Sequence, residues 1–311
     1  MNENSVIVSG SVHPELARKL SESLKVQLAS CVIGKFPNGE LRVRIVDDLQ
    51  AKTVILVQSM SGRPQTALVE LVFLADAARL LKPNKIICVI PWLAYSLQDR
   101  QFQKGEPVSA ESAAHLVDGL TVDHLIFIDL HSSLVKGYFK TALTEIKESQ
   151  IFLSSLQAQS MQNTVAVAPD AGALQRTKFF AEALHIPLLS LEKKRDLESG
   201  KIESLTLNAS VSGKQCLLFD DVIITGSTLS QAAELLKQRG AKRVRVFCTH
   251  PILAPGSLGK LMSGDIDELT VSDTVPLPPK LKLRGLRGLK IVSCVPAITG
   301  VLRSIMSSFG S

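Results

Sequence analysis

Short, β-branched apolar runs alternate with amphipathic helical patterns along the whole chain. That alternation predicts mostly parallel sheets covered by helices, because parallel strands need a long crossover and a helix is its usual form. The pattern also repeats. Lys52 to Ser59 parallels Lys214 to Asp221, and each is followed by a small-residue loop and an amphipathic helix, expected over Thr66 to Leu81 and over Thr228 to Arg239. Comparable strands come next, Lys85 to Pro91 and Lys242 to Pro251. Each half then has a strand ending in an acid, Leu125 to Asp129 and Leu269 to Asp273. Two copies of one doubly wound α/β unit is the economical reading. Chance likeness between α/β units, which all share apolar strands, is the alternative. A chain of 311 residues has material for two substantial cores.

One stretch carries chemistry as well as fold. The apolar run Cys216-Leu217-Leu218-Phe219 ends in Asp220 and Asp221; the turn Thr225-Gly226-Ser227-Thr228 follows, and then a helix. Leu229, Ala232, Ala233 and Leu236 recur at helical spacing and Gly240 ends the pattern. Thr225, Gly226, Ser227 and Thr228 are therefore placed to aim N–H groups and hydroxyls at an anion, within the positive field of the helix dipole. Asp220 and Asp221, where the strand emerges, can accept hydrogen bonds from vicinal hydroxyls of a sugar or hold a metal-bound ligand. Phosphate on one side and diol-binding carboxylates on the other describe a ribose 5-phosphate cradle. The plain alternative is a surface turn whose acid pair is a solvated cap.

This segment resembles the phosphoribosyl-diphosphate binding motif shared by phosphoribosyltransferases and ribose-phosphate pyrophosphokinases. The duplication favours the pyrophosphokinases, since ordinary phosphoribosyltransferases have one such unit. Further segments agree, in the family's order. Phe36-Pro37-Asn38-Gly39-Glu40 resembles the adenine-binding loop that one subunit lends to its neighbour, which implies Phe36, Asn38 and Glu40 as ATP contacts. Pro91 to Arg100 resembles the ATP-contacting strand and loop, with Gln98, Asp99 and Arg100. Asp129 to Phe139 is similar to the signature containing a magnesium-binding histidine, here His131. Val167 to Gly172 is similar to the segment whose acid, here Asp170, organises metal and ribose. Glu192-Lys193-Lys194-Arg195 looks like the catalytic flexible loop, with Lys193 and Arg195 as catalytic residues.

The resemblance implies two similar domains of the phosphoribosyltransferase type, residues 1–148 completed by 289–311, and residues 149–288 carrying the ribose 5-phosphate loop. The tail would include a helix from about Thr299 to Ser307. It implies ATP and ribose 5-phosphate as substrates, Mg²⁺ as cofactor, and a homo-oligomer built from dimers. The expected reaction is transfer of the diphosphoryl group of ATP to the C1 hydroxyl of ribose 5-phosphate. Such transfer is mainly positioning and charge neutralisation. Lys193 offers a mobile point charge and Arg195 a planar fork matched to phosphate. Without the resemblance, Lys193 and Arg195 read as a solvated charge run beside Lys194, Asp196 and Glu198, and His131 as a hydrogen-bonded histidine at a strand end.

Some positions depart from the family pattern. Asn38 replaces an acid, Leu97 stands where many members have Arg, Leu134 and Lys136 replace glutamines, and Ile224 takes a place that is often Asp. A non-catalytic regulatory homologue that assembles with an active synthase is thus a second reading, and a phosphoribosyltransferase that consumes the diphosphate a third. No G-x-x-x-x-G-K-[ST] motif is present, and no G-x-G-x-x-G follows a strand.

Composition excludes other classes. The net charge of +6 suits anionic small substrates, and the most basic stretch, Lys280 to Lys290, lacks the interleaved aromatics of a base-stacking surface. It reads as a solvated turn and edge strand, and no nucleic-acid partner is expected. The most apolar helical stretch, Val69 to Leu81, is interrupted by Glu70, Asp76 and Arg79, so no membrane association is expected. No signal peptide is apparent, and five scattered cysteines without C-x-x-C spacing point to reduced thiols in a cytoplasm.

Overall fold

The computed structural model describes residues 4–195, 202–262, 264–277 and 288–309. They form two compact units. One runs to Lys147 and takes back Thr274–Pro276 and the segment from Ser293; the other runs from Glu148 to Asp273 and on from Leu277 to Val292.

The first unit opens with β1 (Ser5–Ser9), α1 (Pro14–Leu24) and β2 (Gln27–Leu28). An antiparallel hairpin follows, β3 (Cys31–Lys35) and β4 (Leu41–Ile45). Then come β5 (Thr53–Val57), α2 (Pro64–Leu80), β6 (Lys85–Ile90), α3 (Ser109–Asp118), β7 (His124–Ile128), α4 (Ser133–Gly137) and β8 (Leu143–Ile146). Its six-stranded sheet has the order β2-β1-β5-β6-β7-β8 and is parallel throughout. Val54–Val57, Ile86–Ile90 and Leu125–Ile128 are buried without alternation, as expected of strands covered on both faces.

The second unit contains α5 (Ser149–Gln157), β9 (Thr164–Ala168), α6 (Leu174–Leu184), β10 (Leu188–Arg195) and β11 (Ile202–Leu207). It continues through β12 (Gln215–Ile223), α7 (Ser227–Gln238), β13 (Arg243–Pro251), α8 (Ser257–Met262), β14 (Glu268–Ser272) and β15 (Leu289–Val292). The sheet order is β11-β10-β9-β12-β13-β14-β15, parallel except where β11 pairs with β10. Reading β9 for β1, β10 for β2 and β12, β13, β14, β15 for β5, β6, β7, β8 turns one order into the other, apart from β11, which the second sheet adds at its edge. The repeated sequence pattern is thus a repeated topology, with β5 inside the stretch Lys52–Ser59 and β12 taking up Lys214–Asp221 from its second residue.

The two faces of β12 pack differently. Cys216, Leu218 and Ile223 join a buried cluster with Leu229, Ala232, Ala233 and Leu236 of α7, the positions that the helical spacing predicts as its inner face. On the other face the Phe219 ring stacks on Phe180 of α6 at 4.0 Å and 2°, and lies 5.3 Å from Phe247 of β13. Phe247 in turn meets Phe152 of α5 edge-on at 5.8 Å. Such aromatic pairs add about 1 kcal/mol each beyond the area they bury, and they fix the register of α6 against β12.

Several boundaries differ from expectation. The division falls between Lys147 and Glu148, one residue early. Leu289–Val292 does not belong to the returning tail: it registers with Leu269–Ser272 as an edge strand of the second sheet. The lysine- and arginine-rich segment before it lies outside the described residues. The tail helix, α9 (Val295–Ser308), starts earlier than Thr299 because a proline is accommodated in its first turn, and α2 starts at Pro64 for the same reason. The segment Glu192–Arg195, expected as a loop, is the end of β10, because the antiparallel partner β11 satisfies its backbone.

Candidate active site

The pleat of β12 places Phe219 and Asp221 on the same side, two residues apart. On α6, Arg176 and Phe180 lie one turn apart. Two strand residues span about 6.7 Å and four helical residues about 6 Å. Stacking Phe180 on Phe219 therefore delivers Arg176 to Asp221. Arg176 Nη1 donates to Asp221 Oδ1 at 3.2 Å and lies 4.0 Å from Asp220 Oδ1. Its Nε is 3.4 Å from Oε1 of Glu148, the residue preceding α5. The side chains are enclosed: 9% of Asp221 is exposed, 13% of Arg176 and 21% of Asp220. Asp220 is thus the more outward of the two acids. Burial and the neighbouring Asp221 carboxylate push the Asp220 carboxyl well above its ordinary range, Asp170 adds to this, and the Arg176 charge opposes it.

Asp170 follows β9. Its Oδ1 accepts the Ala173 N–H at 3.1 Å, which closes the turn into α6 and keeps the carboxylate beside the acid pair. Cys248, paired across the sheet with Asp220, donates its thiol to the Asp221 carbonyl at 3.6 Å; burial and then the two acids hold that thiol well above its usual range.

The loop continues directly from the acids. Gly226 is the residue before α7, with φ +73°, and its carbonyl accepts the Ser230 N–H at 2.9 Å. A Cβ there would lie 2.7 Å from Leu261 Cγ, so both the conformation and the close approach require glycine. Thr225 and Ser227 form a hydroxyl pair at 3.3 Å. Lys260 of α8 donates to Ser227 Oγ at 3.0 Å. Thr228 occupies the first turn of α7. This places an ammonium beside a loop whose own sequence, 220–230, has no basic residue. Helix N-terminus, hydroxyls and one cation suit this end of the site to an anion, while an acid pair suits hydroxyl-bearing or cationic groups.

Lys193 and Arg195 sit on β10, Lys193 opposite Leu205 and Arg195 opposite Ile202, with an irregularity in register between Lys194 and Arg195. Their side chains, and residues 196–201 altogether, lie outside what the structure describes.

The remaining expected residues belong to the first unit. Phe36, Asn38 and Glu40 occupy the β3–β4 turn, where the Phe36 N–H bonds the Glu40 carbonyl at 2.8 Å and Asn38 Oδ1 accepts the Glu40 N–H at 3.2 Å. The Phe36 ring is 47% exposed, with Arg42 Cζ 5.9 Å from its centroid. Gln98, Asp99 and Arg100 lie on the connection from β6 to α3. Gln98 is engaged from within the protein, by the Ser109 hydroxyl and by the Ala110 N–H on its carbonyl. The Asp99 carbonyl accepts Tyr138 Oη at 2.7 Å, and Arg100 is exposed above Phe102. His131 follows β7, two residues beyond Asp129, whose φ of 45° lies in the left-handed region that Asp adopts more readily than most residues other than glycine. His131 belongs to the first unit and Asp170 to the second.

Sequence reading missed two residues, Arg176 and Lys260. A sequence signal existed for Arg176: it is one turn before the buried Phe180 on the helix after Asp170. For Lys260 there was none, since it comes from an element past β13.

The doubly wound unit with paired acids on its central strand and a phosphate-sized loop opening the next helix defines a phosphoribosyltransferase-type protein; this chain has the fold twice and the loop once. Residues 5–120 match the N-terminal domain of ribose phosphate pyrophosphokinase, and residues 141–265 match the phosphoribosyl transferase domain. The ribose-phosphate pyrophosphokinase of Campylobacter jejuni is 32% identical over 96% of this chain and 95% of its own length. That of Pasteurella multocida is 33% identical over 89% and 88%. Among solved structures, phosphoribosylpyrophosphate synthetase from Mycobacterium smegmatis superposes with a TM-score of 0.90 at 26% identity, covering 98% of this chain and 99% of that one. The chain belongs to the ribose-phosphate pyrophosphokinase family.

Proposed function

We propose that the chain makes 5-phosphoribosyl 1-diphosphate and AMP from ATP and ribose 5-phosphate. The C1 hydroxyl oxygen of the sugar attacks the β-phosphorus of ATP, the bond from that phosphorus to the α,β-bridging oxygen breaks, and AMP leaves with the electron pair; the hydroxyl proton goes to solvent. The observation that carries this reading is the continuous run of acid pair, loop and helix start in β12 and α7. Asp220 and Asp221 take the ribose hydroxyls. Thr225, Gly226, Ser227 and Thr228 take the 5-phosphate, helped by Lys260. Lys193 and Arg195 supply charge to the transferring phosphoryl groups. Phe36 stacks on adenine, with Asn38, Glu40, Gln98, Asp99 and Arg100 as further ATP contacts.

The residues fit a magnesium cofactor. Burial first, and then the charges of Asp221 and Asp170, raise the Asp220 carboxyl, and a hard cation would relieve both effects. Among the described residues no group of three or more His, Cys, Asp or Glu is arranged as a metal site. The cation's candidate protein ligands are Asp170 and the acid pair in the second unit and His131 in the first, few enough to leave places for substrate oxygens. When bound, it neutralises charge on the phosphates.

The exposed Phe36 supports a homo-oligomer built from dimers in which the β3–β4 turn serves a neighbour's site. A cytoplasmic location accords with five cysteines that form no disulfide among the described residues, whose buried members are core residues: burial holds Cys216 at about 11 and Cys88 higher still. Among the described residues no helix is long and apolar enough to cross a membrane.

The test is AMP release from Mg-ATP and ribose 5-phosphate by the purified chain alone. Stoichiometric AMP and phosphoribosyl diphosphate are expected. Silence alone, with activity gained by adding an active synthase, identifies a regulatory homologue instead.

A further inference from the structure

Arg176 lies outside the acid pair and the loop, yet its position is built by several independent features. The Phe180–Phe219 stack sets the helix height that brings its guanidinium to β12. Glu148 Oε1 lies 3.4 Å from Nε on one side, an ion pair and not a hydrogen bond, and Asp221 accepts from Nη1 at 3.2 Å on the other. A planar fork can hold two carboxylates in a fixed relation; an ammonium, as a point charge, cannot. With only 13% of its side chain exposed, the guanidinium is enclosed by these partners. The groups facing the acids from neighbouring elements are Asp170 after β9, Cys248 on β13, and Arg176 itself on α6.

We infer that Arg176 is the positioning residue of the sugar-binding acids: its guanidinium, anchored on Glu148, holds the Asp221 carboxylate in the orientation in which it and Asp220 accept the vicinal hydroxyls of ribose 5-phosphate. This rests on the assignment of ribose 5-phosphate to the β12–α7 site. Arg176 acts through the acids and not on the phosphate, so its loss is felt at the hydroxyl end of the sugar. That end can be probed separately, because 2-deoxyribose 5-phosphate keeps the phosphate and lacks one of the two hydroxyls.

Calorimetric titration of both sugars into the full chain, in magnesium-containing buffer, tests the inference. The unmodified chain prefers ribose 5-phosphate to the deoxy sugar. Arg176→Gln weakens ribose 5-phosphate binding by about 30-fold, the scale of a hydrogen bond to a charged group, and narrows the preference between the sugars. Arg176→Lys returns part of the affinity, since charge is restored without the fork. Glu148→Gln, which loosens the anchor alone, shifts both quantities the same way by a smaller factor. A folded Arg176→Gln chain that keeps the full preference overturns the inference. If that variant does not fold, an unchanged preference in Glu148→Gln overturns it equally. An unmodified chain that captures neither sugar overturns the ribose 5-phosphate reading itself, whereas capture with a preference indifferent to these substitutions removes Arg176 alone.

Discussion

At the scale of single residues, the loop that opens α7 depends on Gly226. Its φ of +73° suits glycine, and the side chain of Leu261, itself fully buried, closes the space a Cβ needs. Gly226→Ala combines left-handed strain with overpacking and is expected to cost about 2–3 kcal/mol, measured by urea unfolding, together with weaker ribose 5-phosphate binding by calorimetry. Unchanged stability would mean that Leu261 yields freely. Residue chemistry was legible in the sequence where function and local structure coincide: Asp220, Asp221 and the Thr225–Thr228 turn are contiguous, so their order alone described a site. Lys260 was not legible and Arg176 only by its spacing from Phe180, because they reach the site through α8 and through an aromatic stack, contacts that exist only after the sheet has formed. The sequence also treated the two acids alike, whereas the pleat of β12 turns Asp221 toward α6 and leaves Asp220 more outward.

At the scale of elements, the far edge of the second sheet is held by charge. Glu268 at the start of β14 is 3% exposed and receives Arg245 at 2.7 Å, Arg243 at 3.0 Å and Lys290 of β15 at 2.8 Å. Burial pushes its carboxyl upward, but Lys290 and Arg245 outweigh this and hold it below its ordinary value of 4.5. A carboxylate with a depressed value stabilises the fold above the unfolded value and loses that contribution as pH falls through the folded one. Glu268→Gln is therefore expected to destabilise the chain at neutral pH by about 3 kcal/mol, as for a broken buried ion pair, and to flatten the fall in stability below pH 4.5. Urea unfolding across pH checks both, and a parallel offset at every pH would assign the cost to packing. The helix α7 was readable from periodicity, and its inner face matches. The strand at Leu289 was placed in the wrong unit because a short edge strand has no periodicity to say which sheet it joins; its register with Leu269–Ser272 decides that. The end of β10 was read as a loop because a charge run carries no strand signal until a partner such as β11 is present.

For the whole molecule, the repeated strand order was the most legible property, since each half spells out the same succession of apolar runs. The proposed oligomer is open to a complementation test. Phe36→Ala is expected to raise the KM for ATP by about tenfold, the scale of a lost base stack, while leaving ribose 5-phosphate binding intact. Mixed with Asp220→Asn, it should regain activity above either parent, because a shared site then draws one sound residue from each protomer. Absence of recovery would confine Phe36 to its own protomer's site.

The two copies share one more property. In each unit the chain makes an antiparallel excursion at the same point of its path, between its second strand and its central one: β3–β4 in the first, the β10–β11 arm in the second. One bears Phe36 and the other Lys193 and Arg195. The two scaffolds thus take different additions at one point of the chain path, a hairpin with an exposed aromatic in one and an antiparallel arm whose sequence is basic in the other.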